Sequence, residues 1–242
     1  MSSTVLVTGA NGGIGTHLAQ RLLDEGWNVV ALDLSIEKLQ HLTDRHPDRL
    51  LAMTADMRDA NELKHAVDAA VAKYGSLNAL VNNAGVWTIG PFDQSSPEGW
   101  RRDIDVNLMG PMHLIHLVLP IFFAGGSGRI VNVVSDSGRV GEPLVAVYSG
   151  AKAGLAGFSR SLAKEVGKRN INVNCVSLST TVTEAARDTY TDEQLQKMVS
   201  RYPMRRLGAP GDAVGMIMFL LGSDSSWITG QTFSVNGGYA IL

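Results

Sequence analysis

Cysteine, charge excess and metal-binding spacings are all scarce in this chain. Cys175 is the only cysteine among 242 residues, which excludes an internal disulfide and a cysteine-rich zinc site. Its apolar neighbours in residues 171–176 favour an inert core thiol. The formal net charge is -2 and the basic residues are dispersed, so we expect no nucleic-acid partner. His113 and His116 can share a helix face, but no third ligand lies near them in the sequence, and we predict no metal site.

A long hydrophobic run is also missing. The most apolar stretch, residues 114–124, is interrupted by His116 and Pro120 and is shorter than the roughly 18 residues that a bilayer span needs. We therefore expect a core or interface helix there, and no membrane association. Small polar residues follow Met1 and lead directly to the strand-like Val5-Leu6-Val7, without the segments of a signal peptide. A cytoplasmic protein is the resulting expectation.

What the chain does contain is a regular alternation of two kinds of segment. Short Val-rich runs are separated by longer stretches of helical period, which predicts an α/β fold with a parallel sheet in one domain. Several runs are apolar at consecutive positions, as strands covered on both faces require. The seven predicted strands are residues 4–7, 28–32, 50–54, 77–81, 129–134, 170–176 and 232–235. The first helix is predicted over residues 13–25, with Gly26 as its stop.

Residues 181–207 have no clear place in this alternation. The segment is polar and charged, with Tyr190, Met198, Tyr202 and Met204 scattered through it. Two interpretations are open: a mobile flap over a site, or a surface helical insertion.

A glycine-rich loop joins the first predicted strand to the first helix. It reads Thr8-Gly9-Ala10-Asn11-Gly12-Gly13-Ile14-Gly15. Glycines let the backbone approach a pyrophosphate closely, and a helix N-terminus offers unpaired N–H groups and a partial positive charge. A glycine cluster alone is more often a turn, but a strand before it and a helix after it favour dinucleotide binding.

Asp33 ends the second predicted strand. An acidic side chain there can accept hydrogen bonds from the adenosine ribose hydroxyls, and it repels a 2′-phosphate. We therefore predict NAD(H) rather than NADP(H), with a surface aspartate in a turn as the alternative interpretation.

Tyr148 and Lys152 are four residues apart, hence neighbours on one helix face. Such pairs are common on solvated helices. Position favours chemistry here, because the pair follows the strand that ends at Ser135, at the sheet edge where a cofactor lies. Ser135 as a hydrolase nucleophile is rejected, since Gly-x-Ser-x-Gly is absent and no histidine follows His116.

Together these segments resemble the short-chain dehydrogenase/reductase family over nearly the whole chain. The loop has that family's T-G-x-x-x-G-I-G form, and residues 206–210 and 229–238 match further motifs. The resemblance implies a single Rossmann-fold domain over residues 1–242, and hydride transfer between a nicotinamide and a CH–OH group. It implies dinucleotide contacts at Gly9, Asn11, Gly12, Gly13, Ile14, Gly15, Asp33, Asp56, Met57, Asn83, Ala84, Gly85, Tyr148, Lys152, Val182 and Thr183.

The resemblance also implies a catalytic group of Asn107, Ser135, Tyr148 and Lys152. A free tyrosine with a pKa near 10 is about a thousandth ionised at neutral pH, so a useful base needs its pKa lowered by roughly 2 to 3 units. One ammonium about 4 to 5 Å away can supply that, and we expect Lys152 to lower the Tyr148 pKa. Ser135 is expected to bind the substrate oxygen, and Asn107 to organise a water beside Lys152.

The match fails after the sixth strand, where most relatives carry Pro-Gly and this chain reads Leu178-Ser179. Losing the rigid ring and the free φ predicts a loop that is placed differently or moves more. The predicted substrate contacts, beside Ser135 and Tyr148, are Trp87, Val140, Glu142, Val145, Tyr190 and Met198.

This mainly apolar set suits a hydrophobic or cyclic secondary alcohol and its ketone. A 3-oxoacyl-thioester reductase is the alternative, and a non-catalytic dinucleotide sensor or scaffold is the rival from another class. A homotetramer is expected, with helices near residues 100–123 and 148–167 at the subunit interface.

Overall fold

The computed structural model describes residues 2–242, and a parallel sheet forms the centre of this region. Neighbouring strands are hydrogen-bonded in the order β3-β2-β1-β4-β5-β6-β7, all parallel. The seven strands of the described residues are β1 (Thr4–Thr8), β2 (Asn28–Asp33), β3 (Leu50–Thr54), β4 (Ala79–Asn82), β5 (Gly128–Ser135), β6 (Ile171–Leu178) and β7 (Thr232–Val235). The predicted seven-stranded α/β Rossmann fold is confirmed, with strand ends correct to within two residues.

Helices cover both faces of this sheet. They are α1 (Gly13–Asp24), α2 (Gln40–Arg45), α3 (Ala60–Tyr74), α4 (Pro97–Ile104), α5 (Gly110–Gly125), α6 (Ser137–Val140), α7 (Ala146–Val166), α8 (Glu184–Thr189), α9 (Asp192–Val199) and α10 (Pro210–Leu221). Leu18 of α1 and Ile217 of α10 pack in the core on one face, while Leu63 of α3 and Leu114 of α5 pack on the other. Burial on both faces explains why the strands are apolar at consecutive positions.

The chain reverses its direction of strand addition between β1 and β4, which are hydrogen-bonded neighbours. In open α/β sheets this switch point leaves a crevice at the carboxyl ends of the strands, because the following loops turn to opposite sides. The glycine loop follows β1 and Asn83 follows β4. Helix α1 ends before Gly26, whose φ of 85° lets the chain turn back into β2.

A π-turn over Asp105–Met109 joins α4 and α5 into one continuous helix, Pro97–Gly125. Within residues 2–242, this 29-residue helix is the one that is long and apolar enough to cross a membrane by length and composition, with mean hydropathy 1.6 over its most apolar window. The predicted apolar stretch, residues 114–124, is thus part of a longer helix whose length alone does not exclude a membrane span. Leu114, Ile115, Val118 and Phe122 pack into the core, and 33% of the most apolar window is buried.

Residues 181–207 form two short helices and a turn at the carboxyl edge of the sheet. Thr183 caps α8, and Thr191 caps α9 through a capping box with Gln194. The far end is anchored by Tyr202, which is 2% exposed and accepts a hydrogen bond from the Thr180 N–H at 3.1 Å. The segment is thus a helical insertion beside the crevice; its mobility stays a prediction.

Candidate active site

A cavity of about 740 Å³ lies along the carboxyl ends of the strands. The glycine loop lines one end, the ends of β2 and β3 extend it, and α7 and the insertion line the other. Most residues predicted from the sequence are on its walls: Gly9, Asn11, Gly12, Gly13, Ile14, Asp33, Asp56, Met57, Asn83, Ala84, Gly85, Trp87, Ser135, Glu142, Val145, Tyr148, Lys152, Thr183 and Tyr190.

The glycine loop is packed too closely for side chains. Gly9 has φ of 65°, and a Cβ there would lie 2.8 Å from Ala84 Cα. A Cβ at Gly15 would overlap the Gly9 carbonyl oxygen and lie 2.6 Å from Ala10 Cα. The absence of a side chain at Gly15 therefore lets α1 pack on the turn, and a direct contact of Gly15 with the dinucleotide stays a prediction.

The start of α1 fits an anion. Gly12 is the N-cap residue and provides no side-chain cap hydrogen bond within the described residues. Gly12, Gly13 and Ile14 line the cavity. Uncapped N–H groups at a helix N-terminus attract negative charge, so the site fits a dinucleotide pyrophosphate.

Hydrogen bonds between Thr8 and the Asn83 turn connect the end of β1 to the end of β4. The Thr8 hydroxyl accepts hydrogen bonds from the N–H groups of Asn83 and Ala84 at 3.1 and 3.0 Å. The Asn83 side chain donates to the carbonyl oxygens of Thr8 and Gly9, both at 3.0 Å. These bonds hold the loop and the Asn-Asn-Ala-Gly turn as one floor for the cavity.

Acidic side chains line the end of the cavity beyond the loop. Asp33 accepts hydrogen bonds from the Asn11 N–H at 2.9 Å and the Leu34 N–H at 2.7 Å. Arg58, which the sequence analysis missed, also lines this end and forms a fork-like ion pair with Asp56 at 2.6 to 3.0 Å. The Arg58 guanidinium lowers the pKa of the Asp56 carboxyl by hydrogen bonding.

Ser135, Tyr148 and Lys152 meet at the other end. Ser135 is the last residue of β5, and its Oγ accepts hydrogen bonds from the N–H and hydroxyl of Ser137 at 3.2 and 2.9 Å. Lys152 Nζ lies 5.8 Å from the centre of the Tyr148 ring and donates to the Val133 carbonyl oxygen at 2.8 Å. Ser137 is a further residue that sequence reasoning missed; the Ser-x-Ser spacing was its only signal.

The acidities of this group differ from the prediction. Burial raises the pKa of Tyr148 to about 12, with the Asp103 charge adding to this and hydrogen bonding with Ser135 opposing it. Burial likewise lowers the pKa of Lys152 to about 8. The expectation that Lys152 lowers the Tyr148 pKa is not met, because desolvation of the phenol has the largest effect and Lys152 is not among the groups that shift this pKa.

Asn107 lies behind the cavity rather than on its wall. It sits in the π-turn, and its side-chain N–H groups donate to the carbonyl oxygens of Val86 and Asp103 at 2.7 and 2.8 Å. Its Oδ1 is buried and has no hydrogen-bond donor within residues 2–242. A Cβ at Gly85 would lie 3.1 Å from that oxygen and 3.5 Å from Lys152 Nζ, so both atoms face the same small space. The geometry suits the predicted water.

The structure places four of the six further predicted substrate contacts on the cavity wall and two outside it. Trp87, Glu142, Val145 and Tyr190 line the cavity, and the Trp87 ring meets Tyr148 edge-on at 6.2 Å. Val140 ends α6 and is 47% exposed, while Met198 lies on α9; both are outside the lining of the cavity, and their contact with substrate stays a prediction. The sequence could not show which side of these short helices faces inward.

The loop after β6 is held by side chains instead of Pro-Gly. Ser179 donates its hydroxyl to the Asn236 carbonyl oxygen at 3.3 Å, and Thr180 is bonded to Tyr202. Leu178, Ser179, Thr180 and Thr181 line the cavity, none of them predicted. Val182 lies outside the lining of the cavity and donates its N–H to the Gly208 carbonyl oxygen at 2.8 Å, and its contact with the dinucleotide stays a prediction.

Further cavity residues also went unpredicted. They come from strand ends and helix faces whose sequence carries no motif: Leu32, Leu34, Ala55, Val86, Arg102, Val106, Val133, Val134, Ala185 and Ala186.

A Rossmann sheet with a glycine loop and a Ser-Tyr-Lys group at its carboxyl edge defines a dinucleotide-binding oxidoreductase acting on CH–OH or ketone groups. The family model described as enoyl-(acyl carrier protein) reductase matches residues 9–240. The chain is 36% identical to the 3-oxoacyl-[acyl-carrier-protein] reductase FabG of Staphylococcus aureus, over 98% of both proteins. It is 33% identical to the cyclohexanol dehydrogenase of an Acinetobacter species, over 98% of this chain and 95% of that protein.

Solved structures agree with these matches. The 3-ketoacyl-(acyl-carrier-protein) reductase of Brucella melitensis complexed with NADH superposes with a TM-score of 0.92 at 29% identity, covering 99% of this chain and 98% of that one. The chain belongs to the short-chain dehydrogenase/reductase family.

Proposed function

We propose that this oxidoreductase uses NAD(H) to interconvert a hydrophobic or cyclic secondary alcohol and its ketone. The observation that carries the proposal is the placement of Asp33 at one end of a cavity whose other end holds Ser135, Tyr148 and Lys152. One end selects the dinucleotide, and the other performs the chemistry.

Charge at the Asp33 end supports NAD(H). A 2′-phosphate placed beside Asp33 meets a carboxylate at the cavity wall. The basic residue on that wall, Arg58, is already paired with Asp56, and Lys38 nearby along the chain is paired with Glu184. Ribose hydroxyls, by contrast, can donate hydrogen bonds to the Asp33 oxygens. NADH in the Brucella reductase named above is consistent with this choice.

The nicotinamide, when bound, supplies or accepts the hydride. Tyr148 carries the proton that the substrate oxygen gains in reduction and loses in oxidation. The Ser135 hydroxyl, oriented by its two hydrogen bonds from Ser137, is directed at the same oxygen. Lys152 and the buried Asn107 oxygen face one small space, which supports a path for that proton through a water. With a pKa of about 8, Lys152 can both give and take a proton near neutral pH.

Apolar side chains favour a hydrophobic substrate. Trp87, Val145, Leu178 and Tyr190 line the cavity beside Tyr148. The relative named cyclohexanol dehydrogenase supports a ring substrate. Reduction of a 3-oxoacyl thioester is the second candidate, favoured by the stronger match to the Staphylococcus reductase.

One assay separates these candidates. Absorbance of the reduced nicotinamide is followed with cyclohexanol, cyclohexanone and acetoacetyl-coenzyme A, each with both cofactors. Turnover of the ring compounds with NAD(H), lost in Tyr148→Phe, is the expected result. Faster turnover of the thioester would move the assignment to the second candidate. Dinucleotide binding without turnover of any compound would leave a cofactor-binding sensor or scaffold.

The cofactor preference is tested separately at Asp33. We expect wild type to bind NADH at least about tenfold tighter than NADPH, because the phosphate meets the carboxylate. Asp33→Asn keeps a hydrogen-bond acceptor for the Asn11 N–H while removing the charge, so NADPH binding should improve. Equal or tighter NADPH binding in wild type would overturn the NAD(H) assignment.

We also propose a homotetramer built on the outer faces of the long helices. Ile104, Met109 and Phe123 are partly exposed apolar side chains on the continuous helix, in the predicted interface region. Light scattering during gel filtration measures the mass; a monomer at micromolar concentration would contradict the proposal. The cytoplasmic location stays a prediction.

A further inference from the structure

Asp103 is a buried carboxylate that is connected to Tyr148 through Thr88 and Trp87. The side chain is 1% exposed, and it accepts hydrogen bonds from the Thr88 N–H at 2.9 Å and the Thr88 hydroxyl at 3.0 Å. Thr88 follows Trp87 directly, and the Trp87 ring meets the Tyr148 ring at 6.2 Å with an interplanar angle of 65°. The carboxylate therefore holds the backbone that carries one wall of the cavity.

Burial of this charge is costly and is only partly compensated. Arg102 Nη2 lies 3.5 Å from the Asp103 carboxylate and is closer, at 3.0 Å, to the Thr88 hydroxyl that it donates to. The Arg102 side chain is 48% exposed, so water screens its charge. An apolar side chain could fill the same space without that cost, but it could not bind Thr88.

We propose that Asp103 is a positioning residue, which fixes Trp87 and Thr88 as a wall of the substrate pocket and keeps a buried negative charge behind that wall. The inference rests on the proposed function and extends it: one buried carboxylate sets the position of the pocket wall that contacts Tyr148.

The charged and titratable groups around Tyr148 support a role for the Asp103 charge. Lys152 lies 5.8 Å from the centre of the Tyr148 ring, and Asp103 of α4 lies behind Thr88. Arg102, Glu142 and Tyr190 line the same cavity. The Asp103 charge adds to burial in raising the pKa of Tyr148. A higher pKa keeps the proton on the phenol, so removal of the charge lowers the pH at which the phenolate forms.

Two substitutions separate position from charge. Asp103→Asn keeps the shape and an acceptor for the Thr88 N–H but removes the charge. The rising limb of kcat/KM against pH for alcohol oxidation should then move at least about 0.5 unit to lower pH. Thr88→Val removes the hydroxyl that donates to Asp103 and accepts from Arg102, and it leaves the Asp103 charge. The KM for a ring substrate should rise at least about threefold, with the pH limb unmoved.

Glu98→Gln is the matched control, because it removes an exposed carboxylate from the same helix, α4. Glu98→Gln should change neither the rising limb of kcat/KM against pH nor the KM for the ring substrate. An unmoved pH limb in Asp103→Asn, or an unchanged KM in Thr88→Val, overturns the inference while wild-type turnover leaves the proposed function intact.

Absence of wild-type turnover would instead refute the proposed function. The positioning of Trp87 is then read from its fluorescence, assigned by difference from Trp87→Phe. A changed emission in Thr88→Val but not in Glu98→Gln supports the wall, and identical spectra refute it.

Discussion

Replacing Lys152 by Met should make the protein more stable near neutral pH and inactive. The Lys152 side chain is 3% exposed, and burial lowers its pKa from 10.5 to about 8. That difference corresponds to about 3 kcal/mol of cost for keeping the ammonium charged in the folded state. Met fills similar volume and removes the charge, but the Val133 carbonyl loses a donor, which costs about 1 to 2 kcal/mol. The net gain expected at pH 7 is about 1 kcal/mol or more.

The free energy of unfolding depends on pH through the Lys152 proton. Between about pH 8 and 10.5 the unfolded chain keeps the Lys152 proton and the folded protein has released it. Stability therefore rises with pH across this window, by about 1.4 kcal/mol per pH unit, and the contribution is lost as the pH falls through about 8. Lys152→Met lacks this term, so the wild type should overtake the variant as the pH rises.

Urea unfolding at pH values from 7 to 10, at one protein concentration, measures the difference in free energy of unfolding. Tyr148 titrates above this range in both proteins. Lys164→Met, an exposed lysine on the same helix, is the control and should show no such slope. A difference between wild type and Lys152→Met that stays constant with pH would refute the assigned cost of burying the ammonium.

Two further predictions concern packing around the site. Gly15→Ala should lower the free energy of unfolding by about 1 to 3 kcal/mol, because the added Cβ overlaps the Gly9 carbonyl oxygen. Gly12→Ala is the control: the atom nearest to its Cβ is 3.3 Å away, so its free energy of unfolding should stay within about 1 kcal/mol of wild type. Equal losses for the two variants in urea unfolding would contradict this. Asp136→Ala should cost about 2 to 4 kcal/mol, since that buried carboxylate accepts hydrogen bonds from Ser177 and Asn236, both at 2.6 Å; limited proteolysis should then release the C-terminal segment sooner, and an unchanged digestion pattern would argue against that anchor.

Local sequence patterns were sufficient to predict those parts of the fold and site whose geometry is determined by a short stretch of sequence. The strand-loop-helix around Gly9 and Gly13 was readable because glycine spacing, an apolar strand and a helical period occur within one segment. Tyr148 and Lys152 were placed on one face by the helical repeat alone. Ser135 and Asp33 followed from their positions at the ends of strands, since parallel strands bring their carboxyl ends to one edge.

Other features depended on contacts between distant segments. Asp103 and Arg58 carry no motif, and their roles come from partners that folding brings beside them. The direction of the Tyr148 pKa was wrong because the sequence shows that Lys152 is near but not how deeply the phenol is buried.

The sequence by itself determined the parallel α/β sheet, the glycine loop and the positions of Ser135, Tyr148 and Lys152, because periodicity and strand ends are local properties. Only the tertiary structure decided that Val140 and Met198 lie outside the lining of the cavity, that Gly15 packs against the loop, and that Asn107 lies behind the wall. Burial and side-chain direction arise from packing between segments far apart in the chain, and they set both the shape and the acidity of the site.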